Sequence, residues 1–563
     1  MSNATTGPDN LTGVTPDTGL KIGQSDESGP MLAADGTPLK KSLNRALRKQ
    51  KIRALALIAP LLIFILATFI YPIGEMLFRS VENQIVGEVL PRTVRVLADW
   101  ESENDPVPGD AVFSALTKDM MVAVEEKNHT RLGSRLNYEV SGVSSLFRKS
   151  GRSVDDFGEV YTDQFIALDP AWEDPLTFVS IFADEAWVEA DAAYDGEGRR
   201  PRFLLRDGVG EVLPQTASMY RDFARVVQTE DEDSPTEEDV WNSVYLALYE
   251  DLSVQPDIPA GLPQAEMLAT ARGAVADFET ADLRAAFVDV DEGWEETRVW
   301  QTIQQYSAPY TTGYFLNSVD LQKTPDGVDW RPENEQIYVT LFIRTMIMST
   351  IITVSCILLG YPVAWLLANL PASKANLLMI LVLLPFWTSL LVRTSAWKAL
   401  LQNQGVINDL AVWIGIVADD NRLALINNAT GTVIAMTHIL LPFMILPLYS
   451  VMKTIPPSYL RAAKSLGATN VTAFRRVYFP QSVPGIGAGS ILVFILSIGY
   501  YITPEIVGGT KGVFISNRIA YHISTSLNWG LAAALGSILL AVVLLLYWCY
   551  DRIVGIDNVK LGG

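Results

Sequence analysis

The sequence predicts a mainly α-helical membrane protein, with six transmembrane helices and a large α+β external domain inserted between helices 1 and 2. Three observations carry that expectation. Of the 563 residues 49% are hydrophobic, and they collect in one run near residue 60 and five more after residue 338. The long region between them, residues 80–337, is polar and acidic. Basic residues crowd the approach to the first run and the loop between the fourth and fifth.

Residues 1–52 begin rich in Gly, Pro, Asp, Ser and Thr with no apolar period, which reads as a disordered cytoplasmic tail. Just before the first uncharged run lie Lys40, Lys41, Arg45, Arg48, Lys49, Lys51 and Arg53. Lys and Arg favour the cytoplasmic side of a span, so the N-terminus is expected inside. The first helix, residues 53–79, contains the uncharged run 54–74. It starts too deep for an ordinary cleaved signal peptide and reads as an uncleaved anchor.

A span needs roughly 20 apolar residues, and backbone in lipid must be helical. Residues 338–555 supply five more candidates, 345–370, 375–392, 423–452, 477–504 and 523–550. They hold no Asp, Glu, Lys or Arg, and His438 is their one histidine. Counting forward puts 80–337, 401–422 and 505–522 outside, with 371–376, 453–484 and the tail 556–563 inside. The loop 453–484 checks that parity. It holds Lys453, Arg461, Lys464, Arg475 and Arg476 and no acidic residue.

Over residues 81–330 there are 49 Asp and Glu against 19 Lys and Arg, so the remainder of the chain is basic although the whole carries −20. An acidic block argues against nucleic acid as a partner, since phosphate needs basic surface. Cys356 and Cys549 both lie in apolar runs, and His129, His438 and His522 are scattered. Neither a disulfide framework nor a metal site is expected. Within the insert, Ser234, Pro235 and Glu237 suggest a capping box, followed by a helix through Val240, Val244 and Leu248. Residues 263–278 read as a second helix. Residues 202–206 and 209–213, around Asp207 and Gly208, suggest a hairpin.

The loop 456–480 is unusually organised. Pro456 and Pro457 stop the fourth span, a short helical run follows, Gly467 breaks it, and a second run over 470–478 ends at Pro480. The product is a compact knob with small residues on its surface, suited to docking a soluble partner. Arg461, Ala462, Ala463, Gly467, Ala468, Val477 and Pro480 resemble the coupling-loop signature of ABC importer permeases, with Arg461 where the family has Glu. Leu384 to Thr394, His438 to Tyr449 and Tyr501 to Gly509 look like the spermidine/putrescine branch of that family. Permeases of that branch normally have a short first external loop, so residues 81–330 are a departure.

The resemblance implies six helices of the ABC importer permease type in a bacterial inner membrane. It implies a small-solute permease, for a polyamine or a related small cation, with an amino acid, an opine or an organic anion as alternatives. It also implies partners: two cytoplasmic ATP-binding subunits, a second permease subunit and a periplasmic solute-binding protein. No G-x-x-x-x-G-K-[ST] loop occurs, so ATP and Mg are expected on a partner subunit, no cofactor on this chain, and no enzymatic activity in it. A membrane sensor using the external domain is the weaker reading.

A polyamine path needs carboxylates and aromatic faces, and ionisable groups near a membrane are candidates for function. Glu505 with Tyr500 and Tyr501, Glu75 at the end of the first span, and Trp387 in the third are the candidates. The competing reading of each is anchoring or packing at the interface. His438 is expected to hydrogen-bond between helices.

Overall fold

The computed structural model describes residues 39–324 and 327–554. Of the expected tails, residues 1–38 and 556–563 lie outside the described residues, while 39–52, expected to be disordered, is helical. The chain divides into two compact units, one ending at Glu75 and the other starting at Met76.

The chain is helical from Leu39–Ile65, through a π turn at Leu66–Ile70, into Tyr71–Arg79, within which the first unit ends. The π turn has a local cause. Tyr71 N–H donates to Leu66 O, and the next residue, Pro72, has no N–H to continue the ladder. The stretch Gln50–Arg79 is long and apolar enough to cross a membrane.

The inserted region is helical, which corrects the α+β expectation. Among the described residues its only sheet is a two-stranded antiparallel ladder, Leu321–Thr324 against Gly327–Trp330. The expected hairpin around Gly208 is absent. Leu205 makes an isolated bridge to Ala183, and Val209–Val212 is a helical turn. The reason is spacing. Val209 and Leu213 are both fully buried while Glu211 between them is exposed; a strand would put all three on one face, whereas a helix brings only the residues four apart together. Pro214 then opens the helix Pro214–Val226. Ser234 starts a turn rather than a helix; its hydroxyl donates to Asp191 at 2.6 Å and accepts from Thr236 N–H at 3.3 Å. The helices expected near 240–248 and 263–278 are present as Asn242–Ser253 and Ala265–Ala274. Trp172, Trp187, Trp294, Trp300, Tyr220 and Tyr306 fill the core. Their edge-to-face packing, such as Phe113 on Trp300 at 5.0 Å, gives this region a core of its own.

The region is tied to the spans by buried polar groups. Asp320 receives the N–H groups of Ile337, Tyr338 and Val339 at 3.0, 2.9 and 2.8 Å. It thereby caps the helix Tyr338–Asn369. The Arg135 guanidinium lies over the rings of Tyr306 and Tyr314 and pairs with Glu139 at 2.8 Å. Tyr314 in turn packs on Gly530, where a Cβ would meet its ring at 2.4 Å.

Four unbroken helices follow the insert that are long and apolar enough to span: Tyr338–Asn369, Ala429–Thr454, Asn470–Gly499 and Trp529–Arg552. Met444 of the second is wedged between Gly360 and Gly489 of its neighbours, with contacts of 3.1 and 2.6 Å to a notional Cβ. Small residues permit such approach where the hydrophobic effect gives no help. Ser349 and Ser497 bond at 3.1 Å across the same bundle.

Two expectations about the spans need correction. The run 375–392 is not one continuous span. It is a pair of helices, Ala372–Trp387 and Leu390–Leu400, bent by 95°. Pro385 and the extended backbone at Thr388 and Ser389 make the break. Nor does Pro480 end the second run of the loop. Phe474–Tyr478 is a π turn, Phe479 N–H donates to Phe474 O, and the helix continues through Pro480 to Gly499. This repeats the arrangement before Pro72: a π turn lets the helix pass a residue that cannot donate.

Candidate functional site

Two places in the second unit collect the residues singled out by sequence, one at each end of the helix Asn470–Gly499.

At its start is the knob. Pro457 sits in the first turn of the helix Pro457–Ser465. The helix ends with Gly467 at φ +87°. Gly467 N–H donates to Lys464 O at 3.0 Å and Ala468 N–H to Ala463 O at 3.1 Å. These two bonds define a Schellman cap. Thr469 then caps the next helix, its hydroxyl accepting from Thr472 N–H at 3.3 Å. The chain therefore turns sharply between two capped helices. Leu466 and Val471 are left at the tip, 89% and 75% exposed. Arg461, Ala462, Arg475 and Arg476 are exposed, while Ala463, Ala468 and Val477 are half-buried. The base is seated by buried Ala473 and Tyr478. Phe474 stacks on Tyr478 and meets Tyr361 of the helix Tyr338–Asn369 edge-on. The result is a rigid, basic protrusion with an apolar tip.

At the other end, past Gly499, lies a cavity of about 630 Å³. Tyr501 and Glu505 both line it, with Arg344, Asn517, Arg518 and Tyr521. The Glu505 carboxylate accepts from Asn517 Nδ2 at 2.6 Å. Asn517 also donates to Tyr501 O at 2.9 Å, so one side chain fixes both predicted residues. Arg344 donates to Thr510 O at 2.9 Å, and the Arg518 guanidinium lies over Tyr521. The cavity thus carries both signs of charge.

The remaining candidates are not gathered there. Tyr500 is half-buried and its backbone carbonyl accepts from Ser516. Trp387 is exposed at the break midway along the bent pair and does not line the cavity. Glu75 closes the first unit, one helical turn after Tyr71. His438 does bond between helices, accepting from Trp397 Nε1 at 3.1 Å.

Sequence reasoning passed over Asn517, Arg344 and Arg518. Only Arg344 carried a signal, as a charged residue beside an apolar run. Among the described residues no group of side chains is arranged to hold a metal ion.

Residues 338–555 match the family described as binding-protein-dependent transport system inner membrane component. The chain is 34% identical over 222 residues to the spermidine/putrescine transport system permease protein PotB of Salmonella typhimurium (strain SL1344), covering 39% of this chain and 77% of that protein. It is 31% identical over 273 residues to the inner membrane ABC transporter permease protein YdcU of Escherichia coli (strain K12), covering 46% and 83%. A bacterial alginate ABC transporter, solved in complex with an alginate pentasaccharide-bound periplasmic protein, covers 40% of this chain and 81% of its own at 16% identity, with a TM-score of 0.34.

Proposed function

We propose, from the premise that this chain belongs to the family of binding-protein-dependent transport system inner membrane components, that it forms one half of the path by which an importer carries a polyamine. The chain is a multi-pass inner membrane permease, and hydrolysis of ATP belongs to a separate subunit. In our reading the knob 456–480 faces the cytoplasm and receives one of two ATPase subunits. A second permease subunit completes the path, the inserted region stands in the periplasm, and a solute-binding protein delivers cargo there.

The observation that carries this reading is the knob: a Schellman-capped turn at Gly467 presenting Leu466 and Val471 on a basic protrusion. Apolar side chains so exposed are surface for a partner. Rigid closure of that partner would pull on the helix Asn470–Gly499, because the knob runs into it without a break. At the far end of that helix Glu505 and Tyr501 face the cavity. Motion at the knob is thereby delivered to the cavity.

The polyamine assignment rests on the likeness to PotB. Glu505 and Tyr501 supply the carboxylate and aromatic face that an ammonium group needs. Arg344 and Arg518 on the same wall disfavour prolonged lodging of a multiply charged cation, which suits a passage more than a storage site. The test is ATP-dependent uptake of labelled spermidine into vesicles holding the complete importer. Uptake is expected, with a raised KM in Glu505→Gln. Exclusion of spermidine together with uptake of a carboxylate solute would overturn the cargo and turn the arginines into the binding groups.

A further inference from the structure

The loop between the bent pair and the helix Ala429–Thr454 contains a helix with an apolar stripe left exposed. It spans Val406–Trp413. Val406, Leu410, Trp413 and Ile414 follow a helical repeat and form one stripe. All four are exposed, Trp413 by 83%, and Ile416 just beyond is exposed by 73%. The side chain buried beneath the helix is polar: Asn408 is 0% exposed. Asn408 Nδ2 donates to the carbonyls of Gln402 and Leu423 at 3.2 and 3.0 Å, and its Oδ1 accepts from Leu423 N–H at 3.0 Å. A helix in water turns its apolar stripe inward and its amides outward. This one leaves an apolar stripe outward and a buried amide inward, beside the half-buried Ile407, Ala411 and Val412.

The exposed stripe is not a loose loop caught by chance. Gly405 lies so close to the carbonyls of Leu400 and Ala399 that a Cβ there would meet them at 2.6 and 2.7 Å. Gly415, at φ +81°, ends the helix. Arg422 closes the loop by pairing with Asp409 and Asp419 at 2.6 and 2.7 Å. The stripe is held outward by covalent geometry, an amide clasp and two ion pairs.

We infer that Val406–Trp413 is an interfacial helix that lies in the lipid headgroup layer and anchors the outer end of the bent pair. Continuity decides the occupant. The helix starts only a few residues after Leu390–Leu400, one arm of the bent pair that together is apolar enough to span. It leads into the spanning helix Ala429–Thr454, whose approach at Asn427 packs against Gly509 and whose first turn packs against Gly512. It therefore sits where two membrane-embedded elements emerge, the level at which Trp is favoured and an apolar stripe enters the acyl boundary. Arg422, Asp409 and Asp419 supply the polar, water-facing side. A span broken by a 95° bend lacks the continuous helix that would hold its outer arm at a fixed depth, and an anchor of this kind fixes it. The inference holds whatever the cargo.

The test uses nitroxide labels on the complete importer in phosphatidylethanolamine–phosphatidylglycerol vesicles. Labels are placed at Leu410→Cys, Trp413→Cys and, as control, Asp419→Cys, in a chain with Cys549→Ser. Labels at 410 and 413 are expected to collide more with oxygen than with a water-soluble nickel chelate, and the label at 419 the opposite way. Collision with nickel at 410 and 413 overturns the inference and leaves the stripe for a soluble partner. Labels immobilised and shielded from both agents overturn it in favour of contact with another subunit. Two labelled positions guard against one variant failing to fold, and neither outcome bears on spermidine uptake.

Discussion

Replacing Gly467 with valine separates the shape of the knob from its chemistry. The space around Gly467 is open, with nothing within 4 Å of a Cβ built there. A larger side chain therefore meets no obstacle. The backbone, at φ +87°, is the difficulty. An L-residue pays roughly 1–2 kcal/mol in the left-handed region, and a β-branched one lies at the upper end because it is stiff. A change of that size lowers the occupancy of the capped turn relative to alternatives by roughly 5- to 30-fold. The chain should still reach the membrane in normal amount, since the position is exposed and no core contact is lost. ATP-dependent uptake in reconstituted vesicles should fall by about an order of magnitude on the same arithmetic. Gly467→Asn is the informative companion, because asparagine tolerates the left-handed region, and it should keep most of the transport. Wild-type uptake in Gly467→Val would refute the reasoning. So would equal damage from valine and asparagine, which would show that bulk and not backbone conformation matters.

Other outcomes follow from the same structure. Leu466→Ser removes the most exposed apolar group at the tip; burying a leucine contributes about 1.5–3 kcal/mol, so ATPase affinity measured by titration should weaken about tenfold or more. Asp320→Ala strips the cap from the helix Tyr338–Asn369 and should cost about 1–2 kcal/mol. Thermal unfolding of the purified protein should show a lower Tm for it, with Asp320→Asn milder. Burial, and then the nearby Arg518, push the His522 imidazole down to about 4, where it meets Tyr338 and Ser526 at 3.0 and 2.8 Å. The unfolded chain takes up its proton near pH 6.5, so stability should be full above about 6.5 and decline towards 4, by roughly 3 kcal/mol at most. A plot of Tm against pH should lose that decline in His522→Gln, and an unaltered plot would assign it to other groups.

Much of the architecture was legible in the sequence because lipid imposes a length rule on apolar runs. That rule located the helices starting at Tyr338, Ala429 and Trp529 to within several residues. The knob was legible for a different reason. Its glycine and prolines act locally, so Pro457 and Gly467 could be assigned their places from neighbours alone. Pro480 was misread, because its effect depends on whether the preceding turn can widen to a π turn. The break at Pro385 was missed because the apolar run continues through it: composition records hydrophobicity, not direction. The hairpin expected around Gly208 failed because Val209 and Leu213 are buried in a common core, a condition set by distant residues.

The sequence by itself determined the membrane class, the acidic character of the insert and the turn at Gly467, since each rests on composition or on backbone preferences within a few residues. Only the tertiary structure decided which side chains meet. It put Asn517 on both Glu505 and Tyr501, and brought Arg344 and Arg518 to the same cavity. It carried Asp320 to the end of a helix beginning 18 positions later, and it turned the apolar stripe of Val406–Trp413 outward over a buried Asn408. Those pairings depend on how separate elements pack, and packing is fixed by the whole chain at once.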